Sequence, residues 1–305
     1  MTYKRKISER LVIVTTFFVD LLDVALNLVV AILTGSVILL SEFFQGLADL
    51  TAAGFLWVGY TRSRKRPDKL HPFGYGKEIY FWTLISAVVM MTFTATASFY
   101  VGFNRFRNPQ EITHLGLGYG TLLITLVTNC YALSLSARRL LKNKPLKQLA
   151  RRFLESNVVT TKNALILDLM GTTAAASGLV SLLLYQFAGE QRFDGIGAMA
   201  IGVTTAIFAA VLIIDIKGLL VGERAMPEIE EKIKSAALSV SQVNEVLDLR
   251  TMQIGSDRLL VNINVHMQDH LTTDELEKLI DKIKDRIRSK VPTIRFVQVE
   301  LESLE

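Results

Sequence analysis

The sequence predicts a membrane α-helical protein: six transmembrane helices followed by a small α+β domain with the element order α-β-β-α-β. Three observations carry this prediction. Half of the 305 residues are hydrophobic and the mean hydropathy is +0.35. Six apolar segments lie between residues 11 and 220, each near the roughly 20 residues that cross a hydrocarbon core. From residue 221 the apolar runs stop and Glu, Lys and Asp dominate, which divides the chain into domains at 1–220 and 221–305.

The spans are placed at 11–33, 37–60, 79–103, 115–137, 157–187 and 195–219, and the third and fourth contain no charged residue. The first is too long for a cleaved signal peptide. Besides Lys77, sixteen basic residues lie before span one, after span two and between spans four and five, whereas the opposite loops hold Arg105, Arg107 and Arg192. The positive-inside rule then expects a multi-pass protein of the cell (inner) membrane with both termini in the cytoplasm. The net charge of +5 thus reads as membrane topology, with a lipid bilayer and no nucleic acid as its partner. The single cysteine, Cys130, lies inside span four, which leaves neither an intramolecular disulfide nor a thiolate metal cluster.

In the C-terminal domain, Pro227 sits well for the first turn of a helix over PEIEEKIKSAALSV. Two strand-like runs, EVLDLRTMQI and DRLLVNINVHM, flank Gly255-Ser256, a hairpin signal. In the second run Leu259, Val261, Ile263, Val265 and Met267 alternate with polar residues, giving one buried and one wet face. Thr272 and Glu275 have capping-box spacing before the amphipathic ELEKLIDKIKDRIRSKV, and IRFVQVELE closes a third strand. The pattern is that of a ferredoxin-like or metallochaperone-like open-faced sandwich, of a size that commonly pairs with a copy of itself. Neither a Walker A motif nor a GxGxxG after a strand is present, which argues against an ATP-driven pump. No nucleophile–base pair or zincin motif suggests an enzyme.

Charged residues inside the spans mark the candidate site. Asp49 lies between two apolar stretches of span two, and Asp168 precedes an uncharged run to Phe187. A carboxylate there costs several kcal/mol unless it has a partner or a water-filled cavity. Glu42, Gln45 and Asp49 form one helical stripe, as do Asp20, Asp23 and Asn27 on span one, and Asn157, Thr161, Asp168 and Thr172 on span five. Two readings fit. The carboxylates glue helices together by pairing with Lys162 or with neighbouring hydroxyls and amides, the better reading for Asp20, Asp23 and Glu42. Alternatively, Asp49 and Asp168 balance one divalent ion, which removes the cost of burying either charge alone. In the loop after span two, Asp68 and His71 lie three residues apart beside Pro72 and two glycines.

Taken together, these segments resemble the cation diffusion facilitators. The resemblance covers about residues 7–303. It rests on LTGSVILLSEFFQGLAD, HPFGYGKEIY, FNRFRNPQEI after span three, FDGIGAMAIG opening span six, and GERAMP at the junction with the tail. It implies a six-span divalent-metal/proton exchanger with a cytoplasmic metallochaperone-like domain. The family's tetrahedral transport site takes one pair of ligands from span two and one from span five. Asp49 and Asp168 match the second member of each pair. The first members are Gln45 and Ala164, where the family has His or Asp. The donor set of Asp49, Asp168 and Gln45, completed by water, Asn163 or Thr161, is then rich in oxygen and suits Mn²⁺, Mg²⁺ or Fe²⁺, whereas imidazole suits zinc. With no histidine in the set, proton exchange runs through the carboxylates.

Asp68 and His71 match the family's second metal position, where its later His is Tyr75. The tail's metal positions fall on Leu247, Asn264, Glu300 and Glu302, with His266 and His270 nearby but out of place, so a binuclear site is not expected there. Lys77 and Glu223 match an interlock between the spans and the tail. The resemblance therefore implies export of a divalent metal (Mn, Fe or Zn) from the cytoplasm against proton influx, by a homodimer joined through the C-terminal domain, with no cofactor. The alternative is a non-transporting relative that serves metal sensing or partner binding.

Overall fold

The computed structural model describes residues 9–141, 144–155, 159–256 and 258–303, and side chains from Asp20 onward except those of residues 154 and 155. It forms two compact units. The first comprises residues up to Trp57, Trp82–Leu149 and Thr160–Ile214.

In the first unit, α1 (Glu9–Thr34) and α2 (Val37–Ser63) are joined at a tight turn, where Gly35 has φ 70°. The third span begins as α3 (Glu78–Val89), widens into a π turn over Met90–Ala95, and resumes as α4 (Thr96–Arg107). The sequence predicted one unbroken helix here. The π turn has no Pro or Gly to announce it, and Met90 from it packs with Ala48, Ala52, Met170 and Ala209. Next come α5 (Leu115–Leu141), a short α6 (Leu149–Glu155), α7 (Val159–Ala188) and α8 (Arg192–Val221). Among the described residues, five helical segments are long and apolar enough to cross a membrane, and α1 runs for 26 residues. Trp57, Phe93, Tyr100, Val127, Phe187 and Ile214 stay exposed on these spans, as side chains facing lipid would be.

Small residues let the spans approach one another, as expected where packing rather than hydrophobicity holds helices together. A Cβ on Gly102 of α4 would lie 2.7 Å from the Gly195 carbonyl oxygen of α8, and one on Gly202 would lie 2.8 Å from that of Ala95. The N-terminus of α2 is capped from another helix. Asp194, fully buried in the first turn of α8, accepts from Ser36 Oγ (2.7 Å) and from the backbone N–H groups of Val37 (3.0 Å) and Ile38 (3.2 Å). Arg105 Nη1 lies 3.6 Å from its carboxylate, and Arg105 also donates to the Gly35 carbonyl oxygen. The unsatisfied donors at this helix start thus receive a full negative charge, which accounts for the Thr-Gly-Ser run and the Asp at the head of α8.

The second unit comprises Val58–Phe81, Ala150–Val159 and residues from Asp215 on. Its α9 (Pro227–Leu238), β1 (Val243–Gly255), β2 (Arg258–Met267), α10 (Thr273–Lys290) and β3 (Ile294–Leu301) follow the expected α-β-β-α-β order. The sheet order is β1-β2-β3, with β1 antiparallel and β3 parallel to the central β2. Every second residue of β2 from Leu259 is buried and packs with Ile233, Ala237, Ile283 and Ile287 of the two helices. Thr272 and Glu275 form the predicted capping box. The loop before α3 belongs to this unit. Phe73 meets Phe296 of β3 edge to face at 5.1 Å, and Gly76 lies so close to the Ile254 carbonyl oxygen that a Cβ would collide with it.

Candidate functional site

The polar stripe of α2 is where the first unit gathers its carboxylates. Gly46 on this stripe leaves room for Val24 of α1, since a Cβ would meet Val24 Cγ2 at 2.6 Å. That approach brings Asp20 and Asp23 beside Glu42 and Asp49. Gly171 of α7 likewise receives Asn129 of α5, whose Nδ2 would lie 2.8 Å from a Cβ. The result is a cavity of about 50 Å³, lined by Asp20, Asp23, Glu42, Gln45 and Asp49 together with Thr125 and Asn129. Such a volume has room for one or two water-sized occupants.

The hydrogen bonds inside this cluster are specific. Asp23 accepts from Thr125 Oγ1 (3.1 Å) and Asn27 Nδ2 (3.2 Å). Glu42 is 3% exposed, and its Oε1 has no hydrogen-bond partner among the described residues. Gln45 Nε2 donates to Asp49 Oδ1 at 3.3 Å, while Gln45 Oε1 accepts from Thr205 Oγ1 of α8 at 2.9 Å. The expected oxygen ligand therefore presents its nitrogen to Asp49. On α7, Asp168 accepts a short hydrogen bond from Ser136 of α5, and Thr172 Oγ1 donates back to its carbonyl oxygen at 2.7 Å.

Asp49 lies within electrostatic range of Asp20, Asp168 and Asp23, and Arg139 lies within electrostatic range of Asp168. Asn163 is buried with Oδ1 unpartnered among the described residues. Ala164 offers only a methyl group, and Asn157 lies outside the described residues. Among the described residues, no three His, Cys, Asp or Glu side chains stand together closely enough to hold a metal ion. Any such ion would draw on amides, hydroxyls or water as well as carboxylates.

In the loop, Asp68 and His71 are adjacent but turned to a local task. Asp68 Oδ1 accepts from the backbone N–H groups of His71 (2.7 Å) and Leu70 (3.0 Å), and Oδ2 accepts from the Tyr75 hydroxyl at 2.6 Å. His71 Nδ1 lies 3.5 Å from Oδ1. These donors, Tyr75 first, hold the Asp68 carboxyl below its ordinary range, and the same bond raises the Tyr75 hydroxyl. In the tail, Asn264 Nδ2 donates to Glu302 Oε2 at 2.8 Å, and Asn262 Nδ2 lies 3.4 Å from Glu300 Oε1. His266 Nδ1 approaches the Glu302 carbonyl oxygen at 3.3 Å. Lys77 Nζ donates to the Leu220 carbonyl oxygen at the end of α8 (3.1 Å), and the Glu223 carbonyl oxygen accepts from Gln253 N (2.9 Å).

Ser136, Thr125 and Thr205 escape sequence reading because a hydroxyl in a membrane helix ordinarily bonds its own backbone one turn back. A small residue one turn from an Arg pair on α5 is the faint signal that could have marked Ser136.

Comparison with known proteins yields two family matches. Residues 13–220 match the cation efflux transmembrane domain, and residues 225–303 match the cation efflux protein cytoplasmic domain. The chain is similar to the human (Homo sapiens) protein named proton-coupled zinc antiporter SLC30A9, mitochondrial, with 24% identity over 88% of this chain and 54% of that protein. It is also similar to metal tolerance protein C4 of Arabidopsis thaliana, with 22% identity over 73% and 49%. The chain thus spans about half the length of the curated relatives it matches. Among solved structures, the nickel form of a MamM CTD variant aligns over 26% of this chain and 100% of its own, with 21% identity and a TM-score of 0.25.

Proposed function

Since the chain belongs to the cation efflux family, we propose that it is a secondary transporter that exports a divalent metal cation from the cytoplasm in exchange for protons. The observation that carries this reading is the meeting of Asp49 with Asp20, Asp23 and Glu42 around one small membrane-embedded cavity, with Asp168 in electrostatic range. Carboxylates so placed need positive charge. A divalent ion supplies it in one state and protons supply it in another, so the two compete for the same oxygens and exchange follows. Alternating access around a fixed site in the spans turns that exchange into transport.

In this reading Asp49 and Asp168 bind the cargo from α2 and α7, and Gln45 contributes from one turn before Asp49. Zinc is the ion named for the human relative. The oxygen donors here keep Mn²⁺ and Fe²⁺ alongside Zn²⁺ as cargo. Residues 1–220 form the transmembrane domain and 221–305 a cytoplasmic domain that pairs the protein as a homodimer. The protein sits in the cell (inner) membrane with both termini cytoplasmic. Lys77 and Glu223 fasten the spans to that domain, and Asp68 with His71 forms a weaker second metal position. The methyl group of Ala164, where the family pattern places a ligand, favours a second reading: a relative that senses metal or binds a partner without transporting.

Proteoliposomes separate the two. The reading expects uptake of at least one of Mn²⁺, Fe²⁺ or Zn²⁺ with a simultaneous change of internal pH. Metal binding without flux of any of these ions would leave the non-transporting relative.

A further inference from the structure

The amide of Gln45 sits between two oxygens that make different demands on it. Its Nε2 donates to Asp49 Oδ1 at 3.3 Å and its Oε1 accepts from Thr205 Oγ1 at 2.9 Å. Thr205 Oγ1 also lies 2.9 Å from the carbonyl oxygen of Ile201, one turn earlier on α8. A hydroxyl has a single proton, so it serves one of these two oxygens at a time. Gln45 is 2% exposed and Thr205 is 0% exposed, so bulk water does not compete for this hydroxyl, and the Ile201 carbonyl, inside α8, keeps its helical backbone bond whichever oxygen the hydroxyl serves.

Half a turn of the amide about its terminal bond gives a second arrangement in which the hydroxyl is equally satisfied. Nε2 then donates to Thr205 Oγ1, whose own proton goes to Ile201. The same turn places Oε1 where Nε2 was, 3.3 Å from Asp49 Oδ1. Two acceptor oxygens at that separation repel each other unless a cation lies against both. The spacing fits a cation: oxygens at roughly 2.0 Å from a tetrahedral ion stand about 3.3 Å apart. Octahedral Mg²⁺ at ~2.1 Å brings neighbouring oxygens to about 3.0 Å. Both residues of the pair line the cavity of about 50 Å³.

We propose that Thr205 is a positioning residue of the transport site, holding the Gln45 amide in either of two orientations, so that Gln45 gives nitrogen to Asp49 when no metal is bound and oxygen to the metal when one is. The proposal rests on the reading that Asp49 binds the transported ion. It gives Gln45 two jobs in one cycle. The amide N–H stabilises the carboxylate as the metal leaves, and the amide oxygen completes the coordination as the next metal arrives. In both states the Thr205 hydroxyl meets it, as donor in one and acceptor in the other. Valine in place of Thr205 keeps the shape and removes both capacities.

The test measures Zn²⁺ and Mn²⁺ dissociation constants by chelator competition on the full chain in nanodiscs, and transport kinetics in proteoliposomes. Thr205→Val is expected to weaken binding about tenfold, the worth of one hydrogen bond, with the loss appearing in KM rather than kcat. Thr205→Ser is expected to restore binding. In a Gln45→Leu background, Thr205→Val should add less than twofold, because the residue acts through Gln45. An equal further loss in that background, wild-type binding by Thr205→Val, or failure of serine to restore it would each overturn the proposal. Wild-type binding by Asp49→Asn would instead overturn the reading of the site beneath it.

Discussion

Ser136 on α5 donates its hydroxyl proton to Asp168 Oδ2 on α7, and so fixes the direction in which that carboxylate presents its other oxygen. Ser136 is buried and Asp168 is half-buried, so the bond is shielded from competing water. An outer partner of this kind commonly accounts for 10- to 100-fold in metal affinity. Ser136→Ala is therefore expected to weaken metal binding by roughly tenfold, read by chelator competition. Unchanged affinity would show that Asp168 orients itself without α5.

Replacing the two departures from the family pattern should change the cargo. Gln45→His with Ala164→His adds two imidazole nitrogens to the carboxylates of Asp49 and Asp168. Two imidazoles and two carboxylates are a donor set that tetrahedral zinc favours. The double variant is expected to bind Zn²⁺ at least tenfold tighter relative to Mn²⁺ than the native chain does, measured by competition between the two ions. An unchanged ratio would mean that positions 45 and 164 do not face a common ion.

The cap on α2 makes a prediction about stability. Asp194 satisfies Ser36, Val37 and Ile38 and faces Arg105. Asp194→Ala leaves two buried N–H groups and the Ser36 hydroxyl without their acceptor and takes the counter-charge from Arg105, at a cost of about 3–5 kcal/mol. The expected result is a large drop in the thermal midpoint in detergent. A midpoint within a degree or two of the native one would show that the turn at Gly35 is held by other contacts.

Part of this architecture is legible in the sequence. A run such as Leu259 to Met267 betrays its strand because a period of two places every apolar residue on one face, and Thr272 with Glu275 betrays a helix start by spacing alone. Asp49 and Asp168 stand out because charge is expensive among apolar neighbours. Asp194 did not, since an acid in the first turn of a helix looks like an ordinary partner of that helix's own N-terminus. Here it serves α2. The π turn at Met90–Ala95 carries no breaker residue, and its Met90 packs against three other helices, a contact that no local pattern announces. The orientation of Gln45 depends on Thr205, 160 residues away, which no local pattern encodes.

The loop before α3 has a defined pH dependence. Asp68 is held below its ordinary value of 3.8, first by Tyr75 and then by the backbone N–H of His71. Its contribution to the loop is thus fully present above that ordinary value, and is lost as pH falls through the lowered one. Tyr75→Phe removes the largest cause, so the carboxyl should titrate at higher pH and the loop should loosen earlier on acidification. Carbon-13 NMR of the Asp68 carboxyl follows this directly. An unmoved titration would mean that the backbone N–H groups alone set it.

The most direct measurement of the central claim is metal-driven proton flux in proteoliposomes, comparing the native chain with Asp168→Asn at equal protein content in the bilayer. The substitution removes one unit of charge and almost no volume. If Asp49 and Asp168 share the transported ion, the remaining carboxylate lacks adequate compensation, holds a proton instead of metal, and flux of both metal and protons is abolished. Native-rate flux by Asp168→Asn would contradict this, and would make the carboxylate a structural tie between α5 and α7.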